Sequence, residues 1–159
     1  MKLNDVYALL RAIRQCQAEV PNPPPVKFSY CLARNAKLLE AEITTAQDII
    51  NKDINMELLQ SYEQRRQELL IKYAKKDDDG SPIVVDDQYQ LSQAEVNKIQ
   101  KALAEEFPKA GEMLATRTQR AFELGDQEVT DLVLYKLDLA LWPDVPAQTM
   151  NDLMVLVAE

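Results

Sequence analysis

VKFSYCLARNAKLLEAEITTAQDIINKDINMELLQSYEQRRQELLIKYAKK, residues Val26 to Lys76, runs for 51 positions without a glycine or a proline. Pro23-Pro24-Pro25 precedes it and Asp77-Asp78-Asp79-Gly80 follows it. Read as one helix at 1.5 Å per residue, it is roughly 75 Å long. A compact chain of this size makes a globule only roughly 40 Å across. A rod of that length has to fold back on itself, or project and meet a partner.

The apolar positions Leu32, Ala36, Leu39, Ile43, Ala46 and Ile50 are spaced 4, 3, 4, 3, 4, the two-per-heptad seam of a coiled coil. Steps of four through Ile54, Leu58 and Tyr62 then read as a stutter, which locally unwinds a supercoil. The seam resumes at Leu69 and Tyr73. Asn51 to Asn55 is the one plausible hinge, because Asp53 or Asn55 suits the start of a second helix. No glycine or proline marks a break there, so continuity is expected. Leu32, Leu39, Ile43, Ile50, Leu58 and Tyr62 are the candidate partner-binding residues, facing a second copy or a partner's helix. Burying the aliphatics among them supplies on the order of 8–15 kcal/mol before ordering costs. On this reading Ile43→Asp dissociates an oligomer and leaves the rest folded.

Working outward, Asn4 or Asp5 is placed to cap a first helix carrying Val6, Leu9, Leu10 and Ile13 at helical spacing. That helix ends before Pro21, and Val20 to Pro25 forms a stiff extended linker. Asp77 to Pro82 is a stop and turn. Ile83-Val84-Val85 and Tyr89-Gln90-Leu91 flank Asp86-Asp87-Gln88 as a small hairpin, although the favoured glycine is missing. Ser92-Gln93-Ala94-Glu95 matches a capping box and opens a helix through Val96, Ile99 and Leu103. Pro108 interrupts, and a further helix spans Glu112 to Leu124. Val129 to Trp142 suits a strand or a helix face; the β-branched and aromatic residues of its first half favour a strand. Ala147 to Val157 reads as a terminal helix. The expected fold is α+β and mostly α, one domain over residues 1–159. It comprises one long helix over about 26–76, a small antiparallel β element at about 83–91 and 129–137, and shorter packing helices.

Composition narrows the chemistry. The 159 residues include no histidine and three glycines. Without histidine the usual general base, proton shuttle and commonest metal ligand are missing, and three glycines do not build a nucleotide-binding loop. Glu105-Glu106 and Asp86-Asp87 are adjacent in sequence, where side chains diverge rather than share a site. Aligning Gly80 with the glycine of a calcium loop puts Asp77, Asp79, Ser81 and Asp86 at ligand positions. Lys75 would then be the first ligand, so solvated acids are the expectation. Cys16 and Cys31 are read as buried, inert thiols of an intracellular protein. Trp142 is read as a core anchor.

Net charge is −8, distributed as +1 over 1–24, +2 over 25–76, −5 over 77–91, 0 over 92–125 and −6 over 126–159. Arg65, Arg66, Lys72, Lys75 and Lys76 are the nearest thing to a basic cluster, and cations at a helix C-terminus answer the macrodipole. No nucleic acid is expected as a partner. No apolar run reaches 18 residues, so no membrane span is expected, and the N-terminus lacks a signal-peptide cleavage site.

Four stretches resemble a family of uncharacterised proteins of tailed bacteriophages and prophages. Phe28-Ser29-Tyr30-Cys31-Leu32-Ala33-Arg34-Asn35, followed by Leu38 to Ile43, is similar to that family's helix opening. Glu63 to Gly80, with Lys76-Asp77-Asp78-Asp79-Gly80, resembles its helix end and turn. Tyr89-Gln90-Leu91 resembles its short strand. Leu134 to Leu141, with Met150-Asn151-Asp152-Leu153, is similar to its closing strand and helix. The chain departs from the family by extra residues around Ile50 to Gln60 and Phe107 to Leu124. The resemblance implies a phage origin and an α+β body with a long helix; it supplies no activity and no functional residues.

The expectation is therefore a non-enzymatic phage protein without cofactor or metal, located in the bacterial host cytoplasm or the virion. It associates with itself or with another phage protein, as an assembly or minor structural component. The alternative is an acidic inhibitor of a host enzyme or defence protein, in which Asp126, Glu128, Asp131, Asp138, Asp144 and Asp152 imitate phosphate spacing.

Overall fold

The computed structural model describes residues 1–20 and 24–158. The chain is mostly helical among these residues, with α1 (Leu3–Glu19), α2 (Val26–Ile50), α3 (Met56–Tyr73), α4 (Gln93–Glu106), α5 (Ala110–Gly125) and α6 (Ala147–Asp152). One antiparallel sheet has two strands, β1 (Val84–Val85) and β2 (Gln88–Tyr89), and short 3-10 turns cover Leu139–Leu141 and Met154–Leu156. The expected mostly-α body with a small β element is present. Contacts divide the chain into two compact units, Met1–Ile50 with Arg120–Glu159, and Asn51–Gln119. Pro21, Asn22 and Pro23 of the expected stiff linker lie outside the described residues.

The single long helix is corrected: α2 ends at Ile50 and α3 begins at Met56. Asp53 adopts a left-handed φ of 60°, a conformation that Asp tolerates better than most residues, in the turn after α2 that the Ile54 N–H closes on the Asn51 carbonyl at 3.0 Å. The side chain of Asn55 then accepts the Leu58 N–H at 3.0 Å and caps α3. An aspartate and an asparagine supply both halves of the break, so neither glycine nor proline is needed.

In the first unit α1 lies against α2. Val6, Leu10, Ile13 and Cys16 of α1 share one buried cluster with Phe28, Leu32, Leu39, Ile43 and Ala46 of α2. α1 starts two or three residues earlier than the Asn4 or Asp5 cap suggests: Lys2 is the N-cap and its N–H donates to Asp5 at 3.0 Å. Gly125 closes α5 where a Cβ would sit 2.8 Å from the Asn4 side chain, so a larger residue there requires the Asn4 carboxamide to move aside. Trp142 packs edge-on against Phe28 with ring centroids 5.1 Å apart, as a core anchor should.

The expected strand at 129–137 does not form. Among the described residues only single bridges occur near it, Lys2 with Glu128 and Leu137 with Val157. The main chain of Tyr135 is instead satisfied by the Asn35 side chain, which accepts its N–H and donates to its C=O, each at 2.8 Å. One carboxamide does there what a neighbouring strand would do. The terminal helix is likewise shorter than Ala147 to Val157, stopping at Asp152 before the Met154–Leu156 turn.

In the second unit α3 packs on α4 around Leu69, Ile99 and Leu103. Arg65 pins the two helices with a two-pronged contact to Glu106, at 2.9 and 3.0 Å. The capping box forms as expected, Ser92 N–H to Glu95 at 2.7 Å and Glu95 N–H to Ser92 at 3.3 Å. The hairpin forms too, with Val85 opposite Gln88. Its two turn residues, Asp86 and Asp87, carry φ of 50° and 60°, so the favoured left-handed turn is built without glycine.

Candidate functional site

The six seam residues are not brought together as an outer surface. Leu32, Leu39, Ile43 and Ile50 are buried in the first unit, at 1, 0, 8 and 9 % exposure. The first three lie in the cluster that α1 fills. The helix that the heptad spacing anticipates is therefore supplied by the same chain. Leu58 and Tyr62 belong to the second unit, both half-buried, and Tyr62 meets Phe107 edge-on at 5.8 Å.

What α2 leaves outward is different in character. Tyr30, Arg34 and Leu38 follow one another at steps of four, which keeps them on one helix face, and all three are exposed. Tyr135 comes to this face from the irregular segment. Its ring stands edge-on to Tyr30 with centroids 5.8 Å apart and an interplanar angle of 88°. The Arg34 guanidinium lies 5.2 Å from the Tyr135 ring centre and donates to the Tyr30 hydroxyl at 3.1 Å. Each such contact is modest, about 0.5–1 kcal/mol for an exposed cation over a ring. Together they bring three large side chains into mutual contact.

The Tyr135 main chain is held from beneath. Asn35, fully buried, lies one residue past Arg34 and holds the Tyr135 main chain by two hydrogen bonds. Cys31, one turn earlier, adds its thiol to the Tyr135 carbonyl at 3.3 Å. Burial raises the Cys31 pKa, and burial followed by the nearby Glu19 charge pushes Cys16 up to about 11. Both groups stay protonated thiols, which suits packing rather than nucleophilic work. Lys27, Lys37 and Lys136 are exposed close in sequence to Tyr30, Arg34 and Tyr135. Tyrosine and arginine are the residues enriched in interface hot spots.

Elsewhere the acids are occupied or dispersed. Asp77 accepts the N–H groups of Asp79 at 3.0 Å and Ser81 at 2.8 Å, shaping the turn rather than offering a free ligand. Among the described residues no three acidic, cysteine or histidine side chains converge as a metal site. Of the six acids named for phosphate mimicry, Asp126 pairs with Lys2 at 3.0 Å, Asp138 caps the Leu139–Leu141 turn and Asp152 accepts from Gln148. The second unit has an open pocket of about 410 Å³ with Tyr62, Leu70, Ile99, Leu103 and Phe107 in its walls. Its one cation, Arg66, is paired with Glu63 at 2.9 Å. No described helix is long and apolar enough to cross a membrane.

Sequence reasoning singled out neither Tyr30, Arg34 nor Tyr135 as a site. The steps of four from Tyr30 to Leu38 were a usable signal for the first two. Tyr135 joins them only through Asn35, a hundred residues earlier in the chain. Compared with protein-family models, curated proteins and solved structures, the chain matches none.

Proposed function

We propose that this chain is a non-enzymatic protein of a tailed bacteriophage or prophage that works by protein–protein association. It serves as an assembly or minor structural component in the host cytoplasm or the virion. The observation that carries this reading is the exposed, pre-ordered Tyr30–Arg34–Tyr135 cluster, clamped by a buried asparagine. Holding aromatic and arginine side chains in place beforehand lowers the ordering cost of binding. The association surface is this outer side of α2, in place of the seam that α1 covers. The chain's lack of histidine and the dispersal of its acids are in keeping with a binding role. The phage origin rests on the resemblance of the four stretches.

Sedimentation velocity on the full chain and on a Tyr30→Ala, Tyr135→Ala variant tests the reading. The expected result is concentration-dependent association of the wild type, lost in the variant while its helical circular dichroism persists. A wild type that stays monomeric as concentration rises overturns it. The inhibitor reading retains some support, since Glu128, Asp131 and Asp144 are exposed. It requires host-enzyme binding that weakens steeply with salt and is lost when those three acids are neutralised.

A further inference from the structure

The second unit covers little of its own apolar surface. Leu69, Ile99 and Leu103 are its buried cluster, while Tyr62, Leu70, Leu91 and Phe107 pack against them and stay half-buried. The cause lies in how α3 meets α4. Tyr62, early in α3, touches Phe107 after the last turn of α4, and Leu69, late in α3, shares a cluster with Ile99. The two helices are therefore antiparallel, and two helices alone leave a groove beside their seam.

This groove is the pocket of about 410 Å³. Tyr62, Arg66 and Leu70 come to it at steps of four along α3, which keeps them on one face. From Val96 to Phe107 its α4 side runs for roughly 16 Å at 1.5 Å per residue. It is stopped at both ends: Leu91 lies just before α4 begins, and Phe107 and Pro108 follow its last turn. Such a shape suits a compact ligand better than a helix passing through, and the volume lies within the range of about 300–1,000 Å³ common to small-molecule sites.

The polar groups define the ligand's other end. No acid lines the pocket, although the chain has 26 acidic and 18 basic residues, and its one charge is Arg66. Arg66 donates through Nη1 to Glu63 at 2.9 Å. Its remaining donors have no partner among the described residues, and a guanidinium has five N–H groups in a planar fork. Glu63 is exposed and also accepts from Gln67 at 2.8 Å, a surface contact that water screens. Arg66 is thus able to take a second carboxylate. We infer that the groove binds a medium-chain aliphatic carboxylate, its head on Arg66 and its chain along Leu70, Ile99 and Leu103. The inference goes beyond the association reading, since its residues all lie in the second unit and Tyr30, Arg34 and Tyr135 lie in the first.

Titration calorimetry of the full chain with octanoate tests the site. The expected result is one octanoate per chain, with a dissociation constant on the order of 100 μM for so few ligand atoms. Arg66→Gln should weaken octanoate about tenfold and leave octanol, which has the same chain and no charge, unchanged. Ala104→Phe, at an exposed position of α4 that lines the groove, should abolish binding of both while circular dichroism shows a folded chain. Absence of octanoate binding, or binding that neither variant changes, overturns the site. Equal losses of octanoate and octanol in Arg66→Gln overturn the carboxylate assignment. If the methyl resonances of Leu70, Ile99 and Leu103 shift with protein concentration and ignore octanoate, a second copy fills the groove and the inference is overturned. None of these outcomes bears on association through α2, which sedimentation decides separately.

Discussion

Asn35 joins two distant parts of the chain with one side chain, and its removal has a definite consequence. Asn35→Leu leaves the Tyr135 N–H without its partner and the C=O with only the weak Cys31 thiol donor, at about 1–3 kcal/mol for a polar group left unpaired. Urea denaturation should show a loss of about 2–4 kcal/mol, and a variant as stable as the wild type would contradict the clamp. Ile43→Asp now carries the opposite expectation from the one its heptad position suggests. At 8 % exposure within the α1–α2 cluster, an aspartate has no partner for its charge, so the variant should lose its folded dichroism rather than dissociate. The two cysteines should resist an aromatic disulfide reagent in the native protein and both react in denaturant, because burial holds their pKa values high. The internal role of Ile43 is not visible in its spacing: a 4-3 pattern states that a helix will cover the seam, and is silent on which chain provides it.

Element boundaries show how local chemistry overrides pattern. The Ser92–Glu95 box was readable because each partner lies within reach of the other along the sequence. The hairpin was readable from its flanking apolar residues, although its turn uses Asp86 and Asp87 at positive φ. That conformation strains a residue with a Cβ, so Asp87→Gly should stabilise the chain by about 0.5–1 kcal/mol. An unchanged or lower denaturation midpoint would count against the turn geometry. Asn55→Ala should instead cost about 1 kcal/mol through loss of the α3 cap. The place of the break at Asp53 was legible as the one plausible hinge, with Asn55 among its named caps, but its occurrence was not, and the absence of a strand at 129–137 was not legible either, for a shared reason. Both depend on residues standing in for the usual devices: an aspartate at positive φ where a turn glycine is common, and a carboxamide in place of a neighbouring strand.

At the scale of the molecule, electrostatics predicts a chain that weakens in acid. The Gln15 and Thr149 hydrogen bonds hold the Glu19 carboxyl below the usual carboxylate range. The main-chain and side-chain hydrogen bonds of Ser92 do so for Glu95, and the Arg65 guanidinium does so for Glu106. Each folded-state pKa is depressed, so each contribution is complete above the unfolded carboxyl pKa and is lost as pH falls through the lowered value. Stability should fall on acidification below about pH 4.5, and Glu106→Gln should flatten part of that slope. A variant with an undiminished slope would contradict the Arg65–Glu106 contribution. The association claim is tested most directly by lysine acetylation footprinting of the full chain as its concentration is raised. The account predicts that Lys27 and Lys37, on the outer side of α2, become protected while Lys98, Lys101 and Lys109 keep their reactivity. Unchanged labelling of Lys27 and Lys37 at every concentration would contradict it.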